Sequence, residues 1–241
     1  MTEKNPTDGK NDRFKFGACS MQGWRKSNED AHIHILDLGD GNSLFGVFDG
    51  HGGEQVAFFC EKHMPSILTN NEEYKAQNYE KALQETFVEI DWLLLSDEGQ
   101  KMVEAIYLQM KQAIKGPTAK LDEMDREECR SIPFNAGCTA CVILMTPDTI
   151  YCSNSGDSRA ILVNKAGKVT ELSHDHKPDD MGEMQRIKAA GGFVDDGRVQ
   201  GIIAVSRAIG DWEYKNPSLL QTMQKRKKKS TKKQGETASA P

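Results

Sequence analysis

Three short acidic segments carry the residues whose types and spacing could do chemistry. Asp49-Gly50-His51 follows the apolar run Leu44-Phe45-Gly46-Val47-Phe48, which reads as a buried strand. Asp-Gly is a turn signal. It is also a hard-cation signal, because a carboxylate and a glycine carbonyl at a strand end are oxygen ligands suited to Mg²⁺ or Mn²⁺. Asp157 lies in Asn154-Ser155-Gly156-Asp157-Ser158-Arg159, where an ordinary turn is the simpler reading. Glu29, followed by Asp30, stands four residues after Arg25. Adjacent acids usually mark a solvated surface, yet this spacing could also set a phosphate-binding guanidinium beside a metal-binding carboxylate. Taken singly, each segment leaves both readings open.

The elements that must position these residues follow from periodicity. Phe14 to Ser20, His32 to Leu38 and Leu44 to Phe48 read as strands. Val56, Phe59, Cys60, His63 and Ile67 then take helical spacing, predicting a helix over 54–68. Tyr79, Leu83, Phe87, Ile90 and Leu94 predict a second over 76–95. Residues 96–133, heavily charged from Lys120 to Arg130, read as a surface excursion. Cys138 to Met145, Thr149 to Asn154, Ala160 to Val163 and Lys168 to Leu172 read as an antiparallel meander. Glu183 to Ala190 reads as a helix stopped by Gly191-Gly192, and Ile202 to Val205 as another strand. Strands, helices, strands and a helix in that order predict an α+β fold.

Together the segments resemble one family, the type 2C metal-dependent Ser/Thr protein phosphatases. Met21-Gln22-Gly23-Trp24-Arg25-Lys26-Ser27-Asn28-Glu29-Asp30-Ala31-His32 resembles its opening motif, and Leu44 to Gly53 its signature. Asn154 to Ala160, His174-Asp175-His176-Lys177-Pro178 and Ala204-Val205-Ser206-Arg207-Ala208-Ile209-Gly210-Asp211 resemble three more, in the family's order. The resemblance implies an α-β-β-α sandwich: two packed, mostly antiparallel β-sheets flanked by helices. It implies two Mg²⁺ or Mn²⁺ ions, with Asp49 bridging them, Gly50 giving its carbonyl and Glu29 holding the second. It makes Arg25 the phosphate binder, His51 the general acid and Asp157 part of a weaker third metal site. It places Asp30 behind the ligands rather than on a metal, and Asp211 near the site without being a direct ligand. The implied substrates are phosphorylated Ser/Thr proteins, and the implied assembly is a monomer.

The family's later Asp-Gly-x-Trp-Asp strand end and Asp-Asn pair have no counterpart here. The resemblance thus implies a C-terminally truncated member lacking the last strands. The expectation is a phosphatase whose activity in this chain alone is impaired or absent. The alternative is a phosphatase-like module that binds phosphoproteins or regulates partners. The organisation expected is a disordered N-terminus over 1–13, an incomplete phosphatase-like domain over 14–215 and a basic, disordered tail over 216–241.

Composition bounds the remaining classes. The net charge of −5 is uneven, because residues 1–224 hold 24 basic and 35 acidic residues, a net −11, while residues 225–241 hold seven basic and one acidic. An acidic body attracts cations and is a poor nucleic-acid surface, so nucleic-acid contact could come only from the tail. The longest apolar stretch, Ala140 to Met145, is far short of the ~20 residues of a membrane span. With no apolar leader at the N-terminus, the expectation is an intracellular protein, cytoplasmic or nuclear. Free thiols are then the default for the six cysteines, with Cys138 and Cys141 packing as small apolar residues of a strand. Trp24, Trp92 and Trp212 read as core or rim aromatics.

Overall fold

The computed structural model describes residues 2–215, so the basic tail predicted over 216–241 lies outside the described residues. Strands β1 (Asn5–Lys10) and β2 (Lys15–Ser20) form an antiparallel hairpin, with Asn5 opposite Ser20 and Lys10 opposite Lys15. Residues 5–10, read as part of a disordered terminus, are thus paired as a strand. The polar stretch of β1 has no apolar face to betray it, and backbone pairing to β2 is what organises it.

Next come β3 (Ala31–Gly39), β4 (Asn42–Phe48) and the two-residue β5 (Gly50–His51). Helices follow as α1 (Gln55–Asn70), α2 (Glu72–Lys75), α3 (Tyr79–Leu93), α4 (Asp97–Lys115) and α5 (Glu123–Asn135). The chain then returns to strands: β6 (Gly137–Cys138), β7 (Ala140–Met145), β8 (Ile150–Ser155), β9 (Ile161–Val163) and β10 (Val169–Glu171). Helix α6 (Met181–Ala189), strands β11 (Val194–Asp195), β12 (Arg198–Val199) and β13 (Ile209–Gly210), and the single turn α7 (Trp212–Lys215) complete it.

The main sheet has the order β3-β4-β7-β8, and every neighbouring pair is antiparallel. Its alternation sorts the two faces. Ala31 and Ile33 of β3, Leu44 and Phe48 of β4, and Ala140, Val142 and Leu144 of β7 turn inward and are all buried. They share one core with Val56, Phe59, Cys60, Met64 and Leu68 of α1. Burying a side chain such as Phe59 stabilises by about 1.5–3 kcal/mol. On the opposite face Phe16 of β2 covers His34 at 4.8 Å and Phe45 at 6.1 Å between ring centroids. The α+β class with antiparallel sheets flanked by helices therefore stands as predicted.

Three local expectations change. Residues 96–133 are not a surface excursion, because Val103 and Ile106 of α4 and Cys129 and Ile132 of α5 belong to the core. Their start signals are side-chain caps: Ser96 accepts from the Gly99 N–H, and Asp122 forms a capping box with Asp125. Ile202 to Val205 forms no strand. Only a single bridge joins Ile203 to Val199, so the β-branched run lacks a neighbour to pair with. Trp24 is 96% exposed rather than core, whereas Trp212 is buried and packs on Trp92 at 4.6 Å between ring centroids.

Candidate functional site

A second, three-stranded sheet of two-residue strands builds the site. Its order is β13-β6-β5, antiparallel throughout. Gly50 lies opposite Cys138, which lies opposite Ile209, while His51 lies opposite Gly137, which lies opposite Gly210. Residues distant in sequence thus meet in two rows. Behind them the thiol of Cys138 touches that of Cys60 on α1 at 3.6 Å, and both residues are fully buried. All six cysteines are free.

Asp49 links β4 to this sheet, one residue past Phe48 and one before Gly50. Its backbone is clamped by Thr139, between β6 and β7. The Thr139 N–H donates to the Asp49 carbonyl at 2.9 Å, and the Asp49 N–H donates to Thr139 Oγ1 at 3.1 Å. Ser158 Oγ lies 2.6 Å from that hydroxyl, which ties the Asp157 turn to the same point.

The acids anticipated from separate segments come together here. Asp30 lies near enough to Asp49 for its charge to act on it. The Asp49 carboxyl is pushed above its ordinary value, first by partial burial and then by the negative charges of Asp30 and Asp157, with His51 and Arg25 opposing. Asp30 is raised in the same direction, by burial above all, against the pull of Arg25. Glu29 accepts from Ser27 Oγ at 2.8 Å and, weakly, from the Gly53 N–H at 3.4 Å. Its backbone passes so close to Gly50 that a Cβ there would lie 2.3 Å from the Glu29 carbonyl oxygen; only glycine fits. Asp157 pairs with Lys177. Arg25, Asp30 and Asp49 all keep part of their surface in solvent and Glu29 is half-buried, so the burial that raises Asp30 and Asp49 is only partial.

His51 is held from the other side. Its Nε2 lies 2.9 and 2.8 Å from the two carboxylate oxygens of the buried Asp211. Burial works to lower the histidine's pKa, but the Asp211 hydrogen bond and charge, with Asp49 and Glu29 behind them, carry it above its ordinary value. Asp211 reaches this position because Gly137 has no side chain; a Cβ at Gly137 would fall 2.7 Å from the Asp211 carboxyl.

All six anticipated site residues, Arg25, Glu29, Asp49, Gly50, His51 and Asp157, therefore fall in one neighbourhood. The donor chemistry suits a hard cation: oxygen ligands on carboxylates whose mutual repulsion a cation would relieve. Among the described residues, however, no group of three His, Cys, Asp or Glu side chains converges to hold a metal. Mg²⁺ commonly rests on one or two carboxylates and keeps several waters, so this arrangement remains compatible with it. Sequence reasoning missed Thr139 and the pairing of Asp211 with His51. The first hides in a strand-like run, and the second joins residues 160 positions apart.

Similarity to known proteins agrees with this geometry. The family model for protein phosphatase 2C matches residues 14–106 and 95–238. The second match thus continues beyond Lys215, where the motif resemblance ends. A Paramecium tetraurelia protein named probable protein phosphatase 2C 5 is 44% identical over 217 residues, covering 90% of this chain and 66% of its own length. An Arabidopsis thaliana protein named probable protein phosphatase 2C 21 is 39% identical over 234 residues, covering 91% and 66%. The chain therefore spans just under two thirds of these relatives. Among solved structures, a serine-threonine phosphatase 2C from Toxoplasma gondii aligns with a TM-score of 0.56 at 17% identity, covering 88% of this chain and 73% of that one. A C. elegans sex determining protein aligns with a TM-score of 0.55 at 22% identity, covering 87% and 44%. No helix among the described residues is long and apolar enough to cross a membrane. With the family model matched over residues 14–106 and 95–238 of the chain and the site motifs gathered at one point, the chain belongs to the protein phosphatase 2C family.

Proposed function

We propose that the chain is a protein Ser/Thr phosphatase acting through the cluster centred on Asp49. The observation that carries this reading is that three acidic segments, 29–30, 49–51 and 157, lie near enough for Asp30 and Asp157 to act on the charge of Asp49, beside a histidine whose ring Asp211 orients. Asp49, the Gly50 carbonyl and Glu29 would hold Mg²⁺ or Mn²⁺, two ions in all, with Asp157 contributing to a weaker third site. When bound, such a pair supplies an activated water and offsets charge on the phosphoryl oxygens. Arg25 offers a planar fork to the substrate phosphate. His51 gives a proton to the departing serine or threonine oxygen. Its Nε2 is taken by Asp211, so the proton offered is the one on Nδ1. The substrates are phosphorylated Ser/Thr proteins, and the chain works as an intracellular monomer.

The test is Mn²⁺-dependent hydrolysis of a phosphothreonine peptide by the purified chain. A rate that disappears in Asp49→Asn is expected. The alternative is a phosphoprotein-binding module with impaired turnover. It predicts phosphopeptide affinity that persists in Asp49→Asn without hydrolysis by either form.

A further inference from the structure

Asp211 meets His51 in an unfavourable backbone state. Its φ is 52°, in the left-handed region that non-glycine residues rarely occupy, and such a conformation persists only where its surroundings over-determine it. The fastening comes from helix α3. The Gly210 N–H donates to Asp91 Oδ1 at 2.8 Å, and Lys215 Nζ donates to Asp91 Oδ2 at 2.6 Å. Trp212 Nε1 donates to the Asp91 backbone carbonyl at 3.1 Å. Lys215 Nζ also closes back on the Ala208 carbonyl at 2.7 Å, so the segment from 208 to 215 is looped around one carboxylate. From the opposite side, the Asp211 N–H donates to the Ala136 carbonyl at 3.0 Å. Asp91 touches neither His51 nor the acids around Asp49.

We infer that Asp91 is a positioning residue, whose carboxylate pins the Gly210–Lys215 segment so that Asp211 holds the His51 ring in place for proton transfer. This rests on the reading of His51 as proton donor. The physical consequence is selective. A leaving alkoxide such as that of phosphothreonine needs a proton, whereas p-nitrophenolate is stable as an anion near neutral pH. Loosening the His51 ring therefore slows the first substrate more than the second.

The experiment compares Asp91→Ala, Asp91→Asn and His51→Gln with the wild-type full chain in Mn²⁺. Circular dichroism first establishes that each is folded. The readout is kcat on a phosphothreonine peptide divided by kcat on p-nitrophenyl phosphate. Asp91→Ala is expected to lower this ratio roughly tenfold or more, as a misplaced general acid should, with KM little changed. Asp91→Asn keeps an acceptor for the Gly210 N–H and loses only the charge facing Lys215, so it is expected to fall between. A general loss of structure would lower both rates alike and leave the ratio unmoved, which would overturn the inference. If His51→Gln fails to lower the ratio, the proton-donor reading fails, and the role of Asp91 is then decided without turnover. In that arm, amide exchange at Gly210 and Asp211 and the NMR signal of the His51 Nε2 proton are followed in metal-free protein. Faster exchange and loss of the ring-proton signal in Asp91→Ala support the pinning. Wild-type exchange and a retained signal refute it. Should Asp91→Ala not fold, Asp91→Asn is judged by the same criteria.

Discussion

Replacing Thr139 by valine isolates the clamp that holds Asp49. The residue is 2% exposed, and valine nearly matches its shape while removing the hydroxyl. The backbone bond from the Thr139 N–H to the Asp49 carbonyl survives. Two others disappear: the Asp49 N–H loses its acceptor at 3.1 Å, and Ser158 Oγ loses its partner at 2.6 Å. Each hydrogen bond contributes about 1 kcal/mol net, and a buried donor left without a partner costs about 1–3 kcal/mol. Ser158 is half-buried and can turn to water, so the Asp49 N–H dominates, and the sum is about 2 kcal/mol. For a domain of this size that lowers the melting temperature by roughly 4–8 °C. Thermal unfolding followed by circular dichroism at pH 7 measures it. Thr139→Ser keeps the hydroxyl and loses one methyl, costing about 1 kcal/mol. Should Thr139→Val melt within a degree of wild type, or Thr139→Ser prove the more damaging of the two, the hydroxyl is not what secures Asp49.

Other substitutions test neighbouring parts of the same arrangement. Asp49→Asn removes a carboxylate whose pKa is raised by its surroundings; because the folded state disfavours that charge, the metal-free variant should be slightly more stable at neutral pH, by no more than about 1 kcal/mol after solvent screening, and calorimetric titration with Mn²⁺ should lose its heat. Gly50→Ala places a methyl 2.3 Å from the Glu29 carbonyl oxygen, an overpacking that should cost about 1–3 kcal/mol by urea unfolding and weaken Mn²⁺ binding in parallel. Glu183, buried on α6, accepts from Arg207 Nη2 at 2.6 Å and Arg186 Nη2 at 2.7 Å, and these bonds hold its carboxyl far below the usual range despite burial. Glu183→Gln should therefore destabilise at pH 7 by about 1–3 kcal/mol, discounted because both arginines are half in solvent. A depressed carboxylate pKa contributes stability above its unfolded value of about 4.3, so the gap between wild type and variant should narrow as pH falls below about 5.

What the sequence disclosed was the local periodicity, and what it concealed was pairing at long range. Val56, Phe59 and Cys60 announce α1 because one helical face meets one core. The apolar run Leu44 to Phe48 likewise marks β4 as a buried strand. By contrast β1 reads as nothing, since Pro6, Asp8 and Gly9 disfavour strands and only its partner β2 decides the matter. Helices α4 and α5 carry narrow apolar stripes in highly charged sequence, and Val103, Ile106, Cys129 and Ile132 become legible as core only once α1 lies beside them. At the site, a carboxylate and a glycine at a strand end left Asp49 open between a turn and a cation ligand, and only the family resemblance singled out His51. Asp91 gave no signal: it is one acid on an amphipathic helix, and its meaning depends on Gly210, 119 residues away.

The site's economy of structure lies in how few regular hydrogen bonds it uses. Strands β5, β6 and β13 are two residues each, too short to be stable by pairing alone. They persist because each is tied elsewhere: β5 leads into α1, β6 carries Cys138 against Cys60 beneath the core, and β13 is held by Asp91 from α3. The row His51, Gly137 and Gly210 crosses all three, and the missing side chain at Gly137 is the gap through which the Asp211 carboxylate reaches the imidazole. Side-chain freedom is thereby removed at the histidine, while the acids around Asp49 retain exposure and mutual repulsion. That division suits a centre in which one group must point in a fixed direction and the others must accommodate a cation arriving from solvent.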